Sequence, residues 1–457
     1  MKILRLFLTL PLLVANLRAA DAAVNELVLP EQSFPQLGAI LQQAVQQSPR
    51  MLNRALDLEI AENSRIAARA ALLPSFSASV SYYKSDDRSS YIYTDQSSSA
   101  NSYRVTKTPY SATLTQPLFH WNERRNIARV GEIQQMISQG QYRDGYRLLA
   151  QELRTAYLRL IVQKLGVKRA RFFLEFTNNQ LKQQEERWAK KVISDADISG
   201  IRLSAERAQI AMEQTEFDYQ VAKESFARLA GMSALGDDAI PDSIPVAVHP
   251  AGSFERLLAG FLSQKDPPST EAATLRRQLE VESLNYANTK TRLRPKMNAV
   301  VGVSQDQQNN LYGTIDSYSL TSVYAGVSVY WNIFDGFATG AAVRNSLARR
   351  RQMENDYKQL TERLAEQAQN QATHAGFSAR NMSIADRLLV NSEGSLKTVQ
   401  EDFQRGTKSE ADVSQFRLHL FDAQHNAYTA RLDYLWRTGE FLGTIMEDPV
   451  LANLADQ

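Results

Sequence analysis

The residue types best suited to catalysis or metal binding form no recognisable site in this 457-residue chain. There is no cysteine, which excludes disulfides, thiolate metal ligands and thiol nucleophiles. The histidines form neither an HExxH pair nor a ligand cluster; they are His120, His249, His374, His419 and His425. The sequence also lacks a phosphate-binding loop, a dinucleotide-binding glycine pattern and a nucleophile elbow. We therefore predict no enzyme activity, no metal site and no cofactor.

Charge and composition favour long helices over a nucleic-acid-binding fold. The formal net charge is only +2, whereas nucleic-acid binders usually carry a strong basic excess. Proline is absent between Leu118 and Ile240, and again between Lys296 and Asp448. Because proline breaks helices, these two spans are the ones able to hold long helices.

The first 22 residues are predicted to be a cleaved export signal. Lys2 and Arg5 form a basic start, residues 3–14 are mostly apolar, and residues 20–22 offer a small-residue cleavage site. An uncleaved anchor is the alternative, but a spanning helix needs about 20 apolar residues. No later segment has 18 consecutive apolar residues, so we expect an exported protein whose strands make any membrane crossing.

The chain is predicted to contain an internal twofold repeat. Similar blocks recur at a nearly constant separation: 73–80 with 294–301, 117–121 with 332–336, and 194–199 with 409–414. We assign the first repeat to 23–231 and the second to 270–446. Residues 232–269 form a proline-containing linker between the repeats, and 447–457 form a tail that is predicted to be mobile.

Four strands are predicted from period-two alternation, at about 74–84, 109–117, 295–304 and 323–332. Ser75, Ser77, Ser79 and Ser81, for example, alternate with apolar residues. The connections, 85–108 and 305–322, are polar and are predicted to be exposed loops.

These strands are predicted to lie in a membrane, with a soluble β-sandwich edge as the alternative. Aromatic residues gather at the strand ends, as they do at membrane interfaces; they include Tyr82, Tyr110, Trp121, Tyr330 and Trp331. Four strands cannot close a barrel, and open edges in lipid leave backbone groups unpaired. Three chains would supply 12 strands, enough for a channel.

Long helical hairpins are predicted at about 121–231 and 336–446. Apolar residues recur every seven positions, which is typical of coiled-coil packing. The predicted seams are Tyr146, Leu153, Leu160, Val167, Leu174, Leu181 and Trp188, and then Ala368, Ala375, Met382, Leu389, Leu396 and Phe403. Taken alone, the heptads would also suit a structural coiled-coil rod.

Together, these features resemble the TolC-like outer-membrane factor family of tripartite efflux pumps and type I secretion systems. The resemblance covers nearly the whole mature chain. It is carried by the strand entries Leu73-Pro74 and Arg294-Pro295, the strand exits 117–119 and 332–336, and the segment 403–413. That last segment looks like the family's turn between helices at the periplasmic tip.

The resemblance implies a mainly α fold with a small β part, assembled as a homotrimer. Long coiled-coil hairpins would form an α-barrel, and four membrane strands per chain would form a 12-stranded β-barrel. Such a protein is an exit duct in the outer membrane of a Gram-negative bacterium, with helices in the periplasm. Its partners would be a periplasmic adaptor, an inner-membrane transporter and outer-membrane lipid, with no nucleic acid. The alternative is a non-channel periplasmic coiled-coil scaffold or adaptor.

The resemblance also implies a gate at the periplasmic tip. Asp197 matches the first turn, Phe403 and Lys408 match the second, and Asp412 matches an acidic position lining the entrance; Arg405 and Gly406 belong to the same segment. The first turn has Lys190-Lys191-Val192 where the family usually places a glycine, and Gln415 stands where some members carry a second acid. Asp197 could instead be a helix-start charge, favourable beside the helix dipole.

Overall fold

The computed structural model describes residues 27–454 apart from 93, 95–97, 248–249, 251, 265 and 311–316. The predicted export signal therefore lies outside the described residues. Two 67-residue helices, α4 and α8, are each followed by a helix of about half that length, α5 or α9. The fold is mainly helical, with one small antiparallel sheet.

The elements follow one another in this order: α1 (Pro30–Ser33), α2 (Pro35–Gln47), α3 (Pro49–Ala70), β1 (Ser75–Val80), β2 (Tyr83–Ile92), β3 (Ser98–Lys107), β4 (Tyr110–Phe119), α4 (Glu123–Ala189), α5 (Asp195–Ala230), a short 3-10 helix (Asp237–Ala239), α6 (Ser253–Leu262), α7 (Thr270–Lys290), β5 (Lys296–Asn310), β6 (Ser317–Tyr330), α8 (Ala338–Gln404), α9 (Glu410–Thr444) and a second 3-10 helix (Pro449–Leu454). The described chain divides into a helical unit, within residues 27–57, 139–273 and 357–454, and a sheet unit, within residues 58–138 and 274–356.

In the sheet unit, strands β1, β4, β5 and β6 pair side by side and antiparallel. Residues paired across neighbouring strands point to the same face of a sheet. One such row is Ser77, Thr113, Gly302 and Tyr324, and the next row is Ala78, Ala112, Val303 and Val323. The sheet thus has one polar and one apolar face, which confirms the predicted period-two alternation.

The segment 85–108, predicted to be an exposed loop, instead contains most of a β-hairpin. Strand β2 pairs with β3 from Tyr83 opposite Lys107 to Ile92 opposite Ser98. Strand β5 likewise extends to Asn310, beyond its predicted end, and pairs with Val105 of β3. The prediction failed because both hairpin strands are polar, so the apolar alternation that signals a half-buried strand is missing. An ion pair at 2.6 Å between Asp87 and Lys107 joins the two strands.

In the helical unit, the predicted heptad seams are largely confirmed. The seam residues of α4 are buried from Tyr146 to Val167, and those of α8 are buried from Ala368 to Leu396. Further along α4, Leu174 and Leu181 are only half-buried. At the ends of the two helices, Trp188 is 38% exposed and Phe403 is 45% exposed.

The four helices of the two long hairpins are ordered α5, α4, α9, α8 in this unit. Arg202 of α5 forms an ion pair at 3.1 Å with Glu185 of α4. Helices α4 and α9 meet through the rings of Phe172 and Phe421, whose centroids are 5.7 Å apart. Arg431 of α9 in turn forms an ion pair at 2.8 Å with Asp386 of α8. Helices α5 and α8 therefore stand at the two ends of the row.

The tail predicted to be mobile is instead packed into the helical unit. Asp448 and Val450 are buried, and Asp448 binds the buried Arg154 of α4. Burial opposes the charge of Arg154, but the hydrogen bonds of Asp448 and the nearby carboxylate of Glu31 raise its pKa, so it stays protonated. A carboxylate from near each end of the described chain therefore binds the same guanidinium. Sequence alone gave no sign of this cluster, because Arg154 is 123 positions from Glu31 and 294 positions from Asp448.

Within the described residues, no helix combines the length and apolar character needed to span a bilayer.

Candidate functional site

The candidate gate residues lie in and around two turns, which we call the first turn (residues 190–194) and the second turn (residues 405–409). In the first turn, Lys191 takes a left-handed conformation with φ +57°, and the Val192 amide donates to the Arg187 carbonyl at 2.9 Å. In the second turn, Gly406 takes the same conformation with φ +74°. The Thr407 amide then donates to the Asp402 carbonyl at 3.0 Å.

Both turns therefore end their helices in the same way, with a left-handed residue that lets the next amide reach back to the helix. Glycine adopts this conformation freely, whereas a residue with a side chain is strained there by about 1–2 kcal/mol. The first turn keeps the geometry although it has Lys191 in place of glycine.

Each turn leads into a capping box. The Ser194 hydroxyl accepts from the Asp197 amide at 3.2 Å, while the Asp197 carboxylate accepts from the Ser194 amide at 3.2 Å and from its hydroxyl at 2.7 Å. Ser409 and Asp412 repeat the arrangement at 3.2, 2.9 and 2.8 Å. Both serines stand three residues before an acidic residue, a pattern that is visible in the sequence as a helix-start signal.

These hydrogen bonds stabilise the charged form of both carboxylates. The Ser194 hydroxyl and amide lower the pKa of Asp197 below its ordinary value. The Ser409 amide and hydroxyl lower the pKa of Asp412 in the same way, with a smaller contribution from the Lys408 charge. Asp197 thus occupies the helix-start position that was the alternative to a gate role, and it carries a negative charge at neutral pH.

The remaining gate candidates lie on the surface of the chain. Phe403 is exposed, and Arg405 lies 3.7 Å from Asp402 and 4.0 Å from Glu401 within its own helix and turn. In the described part of the chain, Lys408 makes no ion pair with Asp197 or with any other residue. The second turn therefore presents the exposed cation of Lys408, five positions after the exposed ring of Phe403.

Sequence reasoning missed a cluster beside the first turn. The Trp188 indole donates to the Asp195 carboxylate at 2.7 Å, and the Arg202 guanidinium lies 5.3 Å from the centre of the same ring. The heptad pattern placed Trp188 in the coiled-coil seam, but its hydrogen bond and cation–π contact instead brace the turn between α4 and α5.

In the sheet unit, the predicted interface aromatics occupy strand ends. Trp121 has φ +52° where β4 leads into α4, and its indole donates to the Pro295 carbonyl at 2.8 Å. The Trp331 indole, after β6, donates to the Leu293 carbonyl at 2.9 Å. Tyr330 is exposed at the end of β6, opposite Lys296.

The other two tyrosines mark the opposite end of the paired strands. Tyr82 is exposed between β1 and β2, and Tyr110 begins β4 opposite Gln305. From Lys296 to Gln305 strand β5 runs about 30 Å, at roughly 3.4 Å per residue. The two levels of aromatic side chains are thus one membrane-strand length apart, since a tilted crossing strand needs about 9–11 residues.

Between these levels, the apolar face of the sheet is uncovered. Val323 is 79% exposed and Phe76 is 71% exposed, and most of the large apolar side chains around them are exposed too. The exposed members also include Val80, Leu114, Val301, Val327 and Val329. A contiguous exposed apolar surface of this kind marks contact with a membrane or another protein.

No group of three or more potential metal-ligating side chains occurs among the residues that the structure describes.

The described fold is similar to solved outer-membrane channels. The Campylobacter jejuni CmeC outer membrane channel matches with TM-score 0.65 and 11% identity, over 92% of this chain and 89% of CmeC. The Neisseria gonorrhoeae MtrE outer membrane channel matches with TM-score 0.63 and 13% identity, over 90% of this chain and 89% of MtrE. The Vibrio cholerae outer membrane protein VceC matches with TM-score 0.62 and 14% identity, over 92% of this chain and 98% of VceC.

A sequence comparison with curated proteins gives no significant match. The sequence pattern of the outer membrane efflux protein family, in contrast, matches residues 40–232 and 271–437. These two ranges contain the four paired strands, both long helices and both turns. The chain belongs to the outer membrane efflux protein family.

Proposed function

We propose that three copies of this chain form the exit duct of a tripartite efflux pump or type I secretion system in the outer membrane. The observation that carries the proposal is the sheet with one exposed apolar face and one polar face. Its strands β1 and β6 are the two edges of the four-stranded row. A sheet in lipid must be closed, because unpaired backbone groups cost several kcal/mol each.

Closure by three copies gives 12 strands and an interior wide enough for a channel. The apolar face then contacts lipid, and the polar face, with Ser77, Thr113 and Tyr324, lines the water-filled interior. The helical units of the three copies form the periplasmic tunnel, to which a periplasmic adaptor and an inner-membrane transporter connect. The protein itself does no chemistry in this scheme.

The backbone supports the twofold repeat, with repeats at 23–231 and 270–446, that this scheme uses. Left-handed residues occur at Trp121 and Asn122 and again, 215 positions later, at Gly336 and Phe337. Lys191 and Gly406, in the two turns, are separated by the same 215 positions. Strand exits and helix turns that share one offset are what a duplicated strand–hairpin unit would produce.

Fractionation tests the duct against its alternative, a periplasmic coiled-coil scaffold. We expect the protein in the outer-membrane fraction and, on denaturing gels without heating, as a trimer that heating dissociates. Recovery in the soluble periplasmic fraction after lysis without detergent would refute the duct.

We further propose that Asp197 and Lys408 hold the periplasmic entrance closed, with Phe403, Arg405, Gly406 and Asp412 shaping the second turn around them. Both charges are exposed, so one pair contributes about 1 kcal/mol or less. Three symmetry-related copies of the pair can bias a gate and still be separated by a partner protein.

Single-channel conductance in planar bilayers tests the gate. We expect Asp197→Ala and Lys408→Ala to conduct more than the parent. Ser194→Ala is the matched control, because it breaks the same capping box and leaves the Asp197 charge in place. If Ser194→Ala opens the channel as much as Asp197→Ala, the effect comes from the helix start, and the gate pair is refuted.

A further inference from the structure

The two end helices of the helical row, α5 and α8, each carry an apolar stripe that nothing in the described chain covers. The stripe residues recur mainly at seven-residue spacing and are about half to two-thirds exposed. They are Leu203, Ile210 and Phe217 on α5, and Phe377, Ile384 and Leu388 on α8. Such spacing is typical of a coiled-coil seam that lacks its partner helix.

Charges of opposite sign flank the two stripes. On α5, Glu206 and Glu213 stand three residues after Leu203 and Ile210 and are exposed. On α8, Arg380 and Arg387 stand three residues after Phe377 and Ile384 and are exposed as well. Flanking charges set the choice of partner in coiled coils.

Helix direction brings these two flanks together. Helix α5 leads away from the first turn, whereas α8 leads towards the second, so the two helices would pack antiparallel. In an antiparallel pair, the residues three positions after each stripe residue lie on the same side of the seam in both helices. Acidic residues of α5 then face arginines of α8. In the described part of the chain, neither Glu206 nor Arg387 has an ion-pair partner.

The contact between α4 and α9 within the chain indicates the register. Phe172 of α4 meets Phe421 of α9. The proposed repeat relates α4 to α8, and α5 to α9, by 215 positions. The residue of α8 that corresponds to Phe172 is Arg387, and the residue of α5 that corresponds to Phe421 is Glu206. A hydrophobic contact inside the chain thus corresponds to an ion pair between two copies.

Burial agrees with this correspondence. Val162 of α4 is 8% exposed, whereas its counterpart on α8, Phe377, is 55% exposed. At this position the repeated helix is covered in one half of the chain and exposed in the other. A second copy, supplying α5 where α9 stands inside the chain, would cover it.

We propose that α8 of one copy packs antiparallel against α5 of the next, in the register that pairs Arg387 with Glu206. Seven residues back along α8 and seven forward along α5, the same register pairs Arg380 with Glu213. It also brings the Ile384 stripe position beside Ile210. The two faces differ, so the contact is heterologous and closes into a ring when the rotation permits. The inference rests on the proposed function, since it uses both the repeat and the trimer.

Site-directed cross-linking tests the contact directly, because the chain has no cysteine of its own. We expect the double variant Ile210→Cys with Ile384→Cys, treated with a short thiol cross-linker in outer membranes, to give covalent dimers and trimers on fully denaturing gels. Each single variant should stay monomeric there. Products that remain monomeric, or that contain a different protein, would overturn the proposal.

Charge reversal tests the register. We expect Glu206→Arg with Glu213→Arg to reduce the trimer fraction in detergent at least tenfold, and Arg380→Glu with Arg387→Glu to do the same. The variant with all four changes should recover the trimer, because the pairs are restored with their signs exchanged. If the four changes fail to recover it, or if neither pair of reversals reduces it, the proposed register is wrong.

These outcomes are separable from a failure of the proposed function. A parent protein that is monomeric in the outer membrane, or soluble in the periplasm, refutes the duct itself. A trimeric parent whose cysteine pair fails to join copies refutes only the contact between α8 and α5.

Discussion

Replacing Arg154 with methionine is expected to destabilise the helical unit far more than the loss of an ordinary ion pair. The Arg154 side chain is 3% exposed, and its two terminal nitrogens donate to both oxygens of Asp448 at 2.7 and 2.9 Å. Its Nε donates to Glu31 at 2.8 Å, and a second bond joins the same two side chains. Arg154→Met keeps a long side chain but leaves the Asp448 carboxylate buried without its counter-charge.

Removing one partner of a buried ion pair typically costs about 3–5 kcal/mol. Arg50 provides a matched control on the same unit, since it forms an ion pair with Glu152 at 3.0 Å with both side chains over 40% exposed. Arg50→Met should therefore cost about 1 kcal/mol or less. Adding Asp448→Leu to Arg154→Met should recover much of the loss, because the unpaired charge is then gone.

The assay is denaturant unfolding of the purified proteins in one detergent at one protein concentration, followed by the far-ultraviolet circular dichroism of the helices. If Arg154→Met shifts the midpoint no further than Arg50→Met, the buried cluster does not stabilise the unit as argued. A double variant less stable than Arg154→Met alone would show that the cost lies in lost packing rather than in an unpaired charge.

Three further predictions concern the sheet, the turns and pH. Val301→Arg on the apolar face should cost about 2–4 kcal/mol and reduce the amount of protein assembled in the outer membrane. Thr115→Arg on the polar face should assemble normally. Immunoblots of outer membranes measure both amounts. Gly406→Ala should lower the free energy of unfolding by about 1–2 kcal/mol, because residue 406 is left-handed and a side chain is strained there. Lys191→Gly should raise the free energy of unfolding by about 0.5 kcal/mol, because residue 191 is left-handed too and glycine relieves the strain. Thermal unfolding measures both changes. Because the pKa of Asp412 is lowered, its capping box is intact above the unfolded-state pKa of about 4 and is lost as the pH falls through the lower folded-state value. Amide hydrogen exchange at the start of α9, corrected for intrinsic rates, should therefore become faster on acidification in the parent. It should not become faster in Asp412→Asn.

Each of these has a contrary outcome. Equal assembly of both arginine variants would mean that the apolar face does not contact lipid. A stabilising Gly406→Ala would contradict the need for a left-handed residue there, and acid-insensitive exchange in the parent would show that Asp412 does not hold the helix start.

The sequence predicted those parts of the fold whose signals are local. Strands such as 75–80 and the heptad seams of α4 and α8 reveal themselves through alternation at two or seven residues, because one face of each element differs from the other. The hairpin of β2 and β3 lacks such a difference and was mistaken for a loop. The pairing of β3 with β5 lay beyond the sequence as well, because it joins residues as distant as Val105 and Asn310.

The candidate site shows the same boundary between local and distant information. The serine and aspartate of each capping box, three residues apart, could be found from the sequence alone. The left-handed Lys191 could not, because nothing about a lysine marks it for that conformation. The bond between Arg154 and Asp448 lay equally out of reach, since no local pattern joins residues so far apart along the chain.

The Arg154 guanidinium binds carboxylates from near both ends of the described chain, so the described chain runs in a closed loop. A closed loop has no privileged first half. We therefore expect residues 27–454 to accept a circular permutation in which a short peptide joins residues 27 and 454 and new ends open between the repeats. Which half is translated first is then a property of the gene and not a requirement of the architecture.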